Sequence, residues 1–256
     1  MKLSIVIPAH NEEQRLPPML EAYGQYFSEK YPGDAELIVV SNFSSDRTAD
    51  IAREFAVRFP VIRVIDEKER IGKGGAVMLG SRAAVGEFIG FVDADGATPP
   101  AAFDDLVNHI ESCDCVIASR WMKGSVVSPQ QPLSRRFASR CFNFTVRILF
   151  GLKLHDTQCG AKLFRREIIF LTIDQLGVTS WAFDVDMLFQ AKRAGARICE
   201  IPTEWHDIAG SKIRVVHSSI EMLLALGRLR LFYSPFRFII PPLSKALSFV
   251  YPHHLR

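Results

Sequence analysis

Short apolar runs alternate with amphipathic stretches along the first half of the chain. Five runs consist almost entirely of apolar and β-branched residues, at 3–7, 36–40, 61–65, 88–92 and 115–118. Runs of this length, bounded by Pro, Gly or polar clusters, are typical of buried strands. The segments between them carry apolar residues at helical spacing, as at Ile51, Ala52 and Phe55. Strands separated by helical segments of about 10–15 residues predict βαβ units and a mostly parallel sheet.

Polar or glycine-rich turns lead from these strands into the predicted helices. Asn11-Glu12-Glu13 begins the first helix, 44–48 leads into the second, and Gly72-Lys73-Gly74-Gly75 opens a third over about 76–84. The glycine turn is not a Walker loop, because Gly follows Lys73 where Ser or Thr is needed. The first strand also lacks the glycines of a dinucleotide fingerprint. Two interpretations of the glycine turn remain open. Its small residues either let the backbone approach a nucleotide closely or simply begin a helix.

Two carboxylates follow the fourth predicted strand, at Asp93-Ala94-Asp95. They therefore lie at the carboxyl edge of the sheet, where open α/β sheets bind their ligands. Mg²⁺ and Mn²⁺ favour such oxygen ligands and share their coordination shell with water and substrate phosphates. We expect a nucleotide-diphosphate site here. A turn or a helix N-cap is the alternative for this motif taken alone.

Composition and charge narrow the class of protein. The 256 residues, 48% hydrophobic and 23% charged, suffice for a large core. With no linker or repeat before about residue 210, we expect one domain over 1–215 and an extension over 216–256.

The net charge of +3 does not indicate a nucleic-acid partner. Five scattered cysteines favour reduced thiols in the cytoplasm, and the first strand starts too early for a signal peptide.

The positive charge is concentrated between residues 120 and 166. One acidic residue, Asp156, lies there among ten basic ones: Arg120, Lys123, Arg135, Arg136, Arg140, Arg147, Lys153, Lys162, Arg165 and Arg166. We expect this stretch to face an anionic partner. Solvated surface arginines are the alternative, and we favour it for Arg136, Arg140 and Arg147.

Several motifs in order resemble the inverting glycosyltransferases of family 2, which have the GT-A fold. These motifs are Val6-Ile7-Pro8-Ala9-His10-Asn11-Glu12, Ser44-Ser45-Asp46-Arg47-Thr48 and Asp93-Ala94-Asp95. The segments 72–77, 93–98, 156–164, 181–186 and 210–212 further resemble the dolichyl-phosphate β-glucosyltransferases, with the polyprenyl-phosphate mannose synthases as close relatives. The resemblance covers residues 1 to about 215. It implies an α/β protein with a Rossmann-like, mostly parallel central sheet flanked by helices.

The resemblance also implies a reaction and a donor site. The expected reaction is metal-dependent transfer of a hexose, glucose from UDP-glucose, to a polyprenyl or dolichyl phosphate with inversion. Asp93 and Asp95 are the expected ligands of Mg²⁺ or Mn²⁺, and Asp95 is also expected to be catalytic. The family ends its second strand in paired acids that contact the base, whereas Ser41-Asn42 stands here; Asn42 still donates and accepts hydrogen bonds. The expected donor-nucleotide residues are Pro8, Ala9, Asn11, Glu12, Asn42, Lys73, Gly74, Asp93, Ala94 and Lys212.

For the acceptor phosphate, the resemblance implies contacts from Arg120, Arg135, Ser139 and Gln158. Asp156 is expected to be catalytic, orienting the acceptor or acting as base, and a structural ion pair with an arginine is the alternative. A phosphate monoester, with its second pKa near about 6, is already a nucleophile, so positioning matters more than a strong base. In the motif 181–186, Asp184 and Asp186 are two apart and cannot share a helix face, so we expect one of them to face the site.

A lipid acceptor requires contact with a membrane surface. Segments 141–154, 220–232 and 235–250 are apolar with interspersed basic residues, a pattern typical of amphipathic helices in the membrane interface. No apolar stretch approaches the roughly 20 residues that span a bilayer. We therefore expect peripheral association with the cytoplasmic membrane face. Packing on the sheet and a homo-oligomer contact are the alternatives for these segments.

The sequence is compatible with three other functions. One is a GDP-mannose-dependent polyprenyl-phosphate mannosyltransferase. Another is a soluble glycosyltransferase with a small phosphorylated acceptor, which would be fully active without lipid. The third is a non-catalytic nucleotide-sugar binding protein, which would bind UDP-sugar without turnover.

Overall fold

The computed structural model describes residues 1–130, 132–177, 182–206 and 215–235, with the backbone alone at 215–220. Its strands are β1 (Leu3–Ala9), β2 (Ala35–Asn42), β3 (Ile62–Glu67), β4 (Phe88–Phe91), β5 (Cys115–Ser119), β6 (Val126–Ser128), β7 (Lys162–Arg165), β8 (Ile198–Pro202) and β9 (Glu204–His206). Its α-helices are α1 (Leu16–Lys30), α2 (Thr48–Arg58), α3 (Gly72–Ala83), α4 (Pro100–His109), α5 (Leu133–Phe150), α6 (Arg166–Ile173), α7 (Phe183–Arg193) and α8 (Val215–Phe232).

Seven strands form one sheet in the order β3-β2-β1-β4-β7-β5-β8. All neighbours in it run parallel except β7, which is antiparallel to both β4 and β5. A small separate sheet pairs β6 with β9. The predicted mostly parallel sheet and its five strands are confirmed. The remaining strands were not predicted, because β7, β8 and β9 mix apolar with charged residues or proline and β6 is only three residues long.

Helices cover both faces of the large sheet. Ile5 and Ile7 of β1 belong to one core, which α1, α2 and α4 complete. Val6 between them points to the opposite core, shared with α3 and α5 to α8. A strand buried on both faces has no polar alternation, which explains why its sequence is a continuous apolar run. In α1, apolar residues at helical spacing form the buried stripe: Leu16, Met19, Leu20, Tyr23 and Phe27.

Helix α8 packs against α5 and buries Leu226 and Leu229. It begins at the predicted boundary near 215, and the separate extension remains a prediction because 236–256 lies outside the described residues. Among the described helices, none has the length and apolarity needed to cross a membrane.

Two of the cysteines form a disulfide, Cys113 with Cys199. The expectation that all five thiols are free is wrong for this pair. Cys113 precedes β5 and Cys199 lies in β8, so the pairing of these two strands brings together residues that are 86 apart in the chain. Cys115, Cys141 and Cys159 remain free thiols.

Helix α3 approaches the sheet closely at Gly80. A Cβ added there would collide with the Val6 side chain and lie 3.0 Å from Val40 Cγ2. Because both valines belong to the central strands, neither moves without disturbing the core. The close approach holds the N-terminal turn of α3, with Lys73, at the carboxyl edge of the sheet.

We therefore expect Gly80→Ala to lower the free energy of unfolding by about 1–3 kcal/mol, the usual cost of overpacking a core. The matched control is Gly227→Ala in α8, where an added Cβ meets nothing within 4 Å. That substitution should stabilise the protein slightly, by up to about 1 kcal/mol, through helix propensity. Urea denaturation measures both. Equal effects from the two substitutions would contradict the close packing of α3.

Candidate active site

A cavity of about 230 Å³ opens at the carboxyl ends of β1, β2 and β4. Its lining residues are Pro8, Ala9, His10, Glu12, Arg15, Asn42, Lys73, Ala76, Asp93, Ala94 and Asp95. The sequence predicted all of these except His10, Arg15 and Ala76. Two other predicted donor residues, Asn11 and Gly74, do not line the cavity, and Lys212 lies outside the described residues.

Asn11 ties the end of β1 to the loop after β2. Its backbone is left-handed, with φ at 54°, a conformation that Asn tolerates better than most residues. Its Oδ1 accepts a hydrogen bond from the Ser45 backbone at 2.8 Å, and its own N–H donates to Ser44 Oγ at 3.2 Å. Asn11 therefore shapes the rim of the cavity through the loop.

Asn42 and His10 fix the neighbouring part of the rim. The Asn42 side-chain carbonyl accepts the Ile71 backbone N–H at 3.1 Å, which positions the turn that carries Lys73. His10 Nδ1 lies 2.8 Å from the Asn42 backbone carbonyl and donates to it, so this nitrogen carries the proton. No role was predicted for His10, although it lies inside the first motif of the resemblance.

Arg15 brings a cation to the cavity that the sequence did not predict. Its guanidinium binds both carboxylate oxygens of Glu12, at 2.5 and 2.6 Å. The Glu12 backbone N–H donates to Thr48 Oγ1 at 2.8 Å, which anchors this pair to the start of α2. In the sequence, Arg15 is a basic residue two positions after the acidic turn that ends at Glu13. This was the one signal that could have indicated its role.

Asp93 and Asp95 differ in their surroundings. Both are partly exposed; a lysine compensates the charge of Asp93, whereas Asp95 accepts the Ala97 backbone N–H at 3.0 Å. Burial, and next the negative charge of Asp93, raise the pKa of Asp95. The site therefore favours an added positive charge.

The two carboxylates fit a divalent cation. Hard oxygen ligands suit Mg²⁺ and Mn²⁺, which complete their shell with water and substrate phosphate when the protein supplies only one or two carboxylates. In the described part of the chain, no group of three or more His, Cys, Asp or Glu residues has the geometry of a metal site. A cation here would thus depend on Asp93, Asp95 and its substrate.

A chain of alternating charges runs inward from Asp93. Lys73 Nζ lies 2.7 Å from Asp93 Oδ1 and 3.5 Å from Asp184 Oδ2. The other Asp184 oxygen binds Nζ of the fully buried Lys162 at 2.6 Å. Burial favours the neutral acid, yet Lys162 and Lys73 outweigh it and hold the pKa of Asp184 below its usual value. At Gly160, an added Cβ would lie 2.6 Å from Asp93 Cγ, so this glycine makes room for the carboxylate.

Asp186 points to a different partner from Asp184. Its carboxylate accepts the Gly177 backbone N–H at 2.9 Å and the Tyr233 hydroxyl at 2.7 Å. It therefore links α7 to the end of α8. Of the two aspartates, Asp184 contacts the cavity residue Lys73, whereas the bonds of Asp186 go to Gly177 and Tyr233; that one of them faces the site stays a prediction.

The predicted acceptor zone is built around a buried ion pair. Arg120 binds both oxygens of Asp156, at 2.7 and 2.9 Å, and its backbone N–H adds a third bond at 3.1 Å. The Asp156 side chain is fully buried and that of Arg120 is 12% exposed. Burial would raise the pKa of Asp156, but the Arg120 guanidinium outweighs this and lowers it. Asp156 therefore forms the structural ion pair with an arginine that was the alternative to a catalytic role.

Aromatic rings and a second carboxylate hold this pair. The Arg120 guanidinium lies 5.3 Å from the centre of the Trp205 ring and 6.0 Å from that of Trp121. Glu200 accepts the Asp156 backbone N–H at 2.7 Å. Gln158 donates its backbone N–H to Asp156 Oδ1 at 3.3 Å, and its buried Nε2 has no hydrogen-bond partner in the described part of the chain.

Arg135 and Ser139 lie in α5, which is bonded to the Asp156 loop. The Ser139 carbonyl accepts a bond from Asn143 Nδ2, and Asn143 Oδ1 accepts the Thr157 N–H at 3.0 Å. Asn143 was not predicted, because nothing in the sequence distinguishes it from other polar residues of the helix. It connects the helix of the predicted phosphate contacts with the loop of Asp156.

The buried pair generates a pH-dependent prediction. Asp156→Asn leaves Arg120 buried without its counter-charge and should cost about 3–5 kcal/mol at neutral pH. Because the folded pKa of Asp156 is lowered, its contribution is complete above the ordinary carboxyl pKa, about 4, and is lost as pH falls further. Urea unfolding of both proteins should therefore show a constant gap above about pH 5 and a smaller gap below about pH 4.

Asp50→Asn is the matched control, since Asp50 forms an exposed pair with Arg53. It should cost no more than about 1 kcal/mol. If Asp156→Asn lowered the free energy of unfolding as little as the control does, the Arg120–Asp156 pair would not be a major contributor to stability.

Comparison with known proteins gives the family. The model of glycosyl transferase family 2 matches residues 4–170. A dolichyl-phosphate beta-glucosyltransferase of Dictyostelium discoideum is 34% identical over 244 residues, covering 90% of this chain and 74% of its own length. The Mus musculus protein of the same name is 34% identical over 245 residues, with 91% and 76% covered.

Solved structures share the fold at lower identity. Glucosyl-3-phosphoglycerate synthase from Mycobacterium tuberculosis, crystallised with Mn²⁺, UDP and glucosyl-3-phosphoglycerate, superposes with a TM-score of 0.66 at 18% identity. The match covers 90% of this chain and 79% of that one. With the sheet order and the carboxylate pair at its edge, these matches show that the chain belongs to glycosyltransferase family 2 and is a glycosyltransferase with the GT-A fold.

Proposed function

We propose that this protein transfers glucose from UDP-glucose to a polyprenyl or dolichyl phosphate, with inversion, using Mg²⁺ or Mn²⁺. The observation that carries the proposal is the cavity in which Asp93 and Asp95 meet the ends of β1 and β2. The choice of glucose and dolichyl phosphate is supported by the relatives at 34% identity, which are dolichyl-phosphate beta-glucosyltransferases.

In the proposed donor site, the nucleobase and the diphosphate occupy different sides of the cavity. Pro8, Ala9 and Asn42 line the side of the cavity formed by β1 and β2, where the nucleoside would lie. Lys73, Asp93 and Asp95 line the side formed by β4 and α3, where the diphosphate would lie. When bound there, the divalent cation would stabilise the negative charge of the departing diphosphate. We further propose that Lys212 contacts this diphosphate.

In the proposed reaction, an oxygen of the acceptor phosphate forms a bond to the anomeric carbon of glucose. The bond from that carbon to the donor diphosphate breaks, and UDP leaves with the electron pair. A single displacement inverts the configuration. The acceptor is largely dianionic near neutral pH, so no proton has to be removed from it.

This reaction suits a role of Asp156 as a positioning residue. A carboxylate that is fully buried, bound by Arg120 and low in pKa is a weak base. It holds the Arg120 guanidinium in one place, and Arg120 then screens the acceptor phosphate beside Arg135, Ser139 and Gln158. We propose that Gln158 also contacts that phosphate; its Nε2 is buried and has no hydrogen-bond partner among the described residues.

Helix α5 supports peripheral binding to a membrane. Leu133, Phe137, Phe144 and Ile148 follow i, i+4, i+11, i+15 spacing and form one stripe, with exposures of 79, 72, 64 and 66%. Arg136, Arg140 and Arg147 repeat the i, i+4, i+11 spacing three positions later, so a basic stripe runs alongside. An apolar stripe beside arginines suits an anionic lipid surface, and Arg135 and Ser139 lie on the same helix.

The function is tested by incubating the protein with Mn²⁺ or Mg²⁺, a polyprenyl phosphate and labelled UDP-glucose or GDP-mannose in turn. We expect label in the organic phase from UDP-glucose alone, and none after chelation of the metal. Asp95→Asn should lower kcat by about 10²–10³, because the diphosphate loses its charge stabilisation. Asp105→Asn, an exposed aspartate of α4, is the matched control and should be fully active.

Each other outcome identifies a different function. Label from GDP-mannose alone would overturn the proposed donor. Transfer to a water-soluble phosphorylated acceptor but not to the lipid would overturn the proposed acceptor. Nucleotide-sugar binding without any transfer would overturn the proposed enzymatic activity.

The membrane contact is tested by sedimentation with vesicles. The double substitution Phe144→Ser and Ile148→Ser should lower binding to vesicles with anionic phospholipid by about tenfold or more, since two large side chains no longer enter the apolar layer. The control is Val57→Ser with Val85→Ser, two exposed valines away from α5. Equal binding of both double variants would refute the α5 surface. Added salt should weaken wild-type binding.

A further inference from the structure

Lys73 occupies a place at the carboxylate pair that a metal ion would also need. Its ammonium lies 2.7 Å from Asp93 Oδ1, while the Asp93 and Lys73 side chains remain 38 and 37% exposed. Both residues line the cavity. A cation entering from solvent would therefore meet a carboxylate that already has a positive partner.

Lys73 also has a second, inner partner. Asp184 Oδ2 lies 3.5 Å from Lys73 Nζ, and the other oxygen of Asp184 is fixed by Lys162. Lys162 is held in turn by the Cys159 carbonyl at 2.6 Å. The Phe91 ring packs against both ammonium groups, with its centre 5.8 Å from Lys73 Nζ and 5.3 Å from Lys162 Nζ. Lys73 can therefore leave Asp93 and remain compensated by Asp184.

The charges show why such a movement is favourable. Asp93, Asp95 and Asp184 contribute −3, and Lys73 and Lys162 contribute +2, which leaves −1. A divalent cation changes this sum to +1, so Lys73 and the metal ion then repel each other at Asp93. A diphosphate restores negative charge beside them. The new anion attracts the ammonium that the metal ion repels.

We propose that Lys73 is a displaceable counter-ion of the carboxylate pair, which leaves Asp93 when the metal ion binds and then contacts the donor diphosphate. Asp184 keeps Lys73 at the site throughout. Metal and nucleoside diphosphate should consequently bind with strong mutual enhancement, and the metal alone should bind weakly. This inference rests on the metal and diphosphate of the proposed function, and does not depend on the sugar or the acceptor.

The test measures Mn²⁺ affinity from the spectrum of free Mn²⁺ by electron paramagnetic resonance, with and without UDP or GDP. The wild type should bind Mn²⁺ weakly alone and much more tightly with one of the nucleotides. Lys73→Met should bind Mn²⁺ alone about tenfold more tightly than the wild type, because an opposite charge this close shifts a carboxylate equilibrium by about tenfold or more. It should also lose most of the enhancement by nucleotide.

Three further variants complete the test. Lys68→Met removes the same charge from an exposed lysine five residues earlier and should leave Mn²⁺ affinity unchanged. Lys73→Arg keeps a cation and should bind Mn²⁺ alone as weakly as the wild type. Lys73→Gln replaces the methionine variant if circular dichroism shows that the latter is unfolded. Lys162 still compensates Asp184 in all of them.

The inference is overturned if Lys73→Met binds Mn²⁺ alone no more tightly than the wild type, or if neither nucleotide changes the wild-type affinity. Failure of the proposed function has a different signature. Mutual enhancement of Mn²⁺ and nucleotide that depends on Lys73, without glucose transfer to lipid, would leave this inference intact and refute the proposed function.

Discussion

Compensation of buried charge is the constraint on which the site depends. The carboxyl edge of the sheet brings Asp93, Asp95 and Asp184 together, and charged groups in such a place require partners. Lys73 and the fully buried Lys162 supply part of that compensation. Asp95 has no cation in direct contact within the described structure, and burial together with the negative charge of Asp93 raises its pKa. The remaining negative potential is what makes this edge suitable for a metal ion.

The proposed acceptor site has the opposite charge balance, because it is rich in cations that require anionic partners. Its central guanidinium, Arg120, is neutralised by Asp156 and stacked near Trp205, which removes its freedom to reorient. A rigid cation binds an anion with little loss of conformational entropy. The Asn143–Thr157 bond ties this loop to α5, whose exposed stripe is the proposed lipid contact. One helix thus connects the membrane surface with the phosphate site.

Much of the fold was predictable because central parallel strands are buried on both faces and therefore appear as apolar runs. The strands β1, β2, β4 and β5 have that property, and the edge strand β3 is only partly buried but still carries Ile62, Val64 and Ile65. By contrast, β7 carries Lys162 and an arginine, and β8 includes Glu200 and a proline. Local pattern does not indicate such strands, since their stability comes from pairing with neighbours distant in sequence. The Cys113–Cys199 disulfide was missed for the same reason.

For the site, the sequence alone determined the residue types: the carboxylates after β4, the lysine in the first turn of α3, and the arginine-rich stretch around Asp156. Motif order carried that information, because these residues directly follow strands. Only the tertiary structure decided which charged side chains form ion pairs and which of them reach the cavity. Arg15 reaches the cavity, Lys162 binds Asp184 across 22 positions, and Asp156 is enclosed by Arg120. Partners in an ion pair are selected by spatial proximity after folding, and proximity between distant residues has no local signature in the chain.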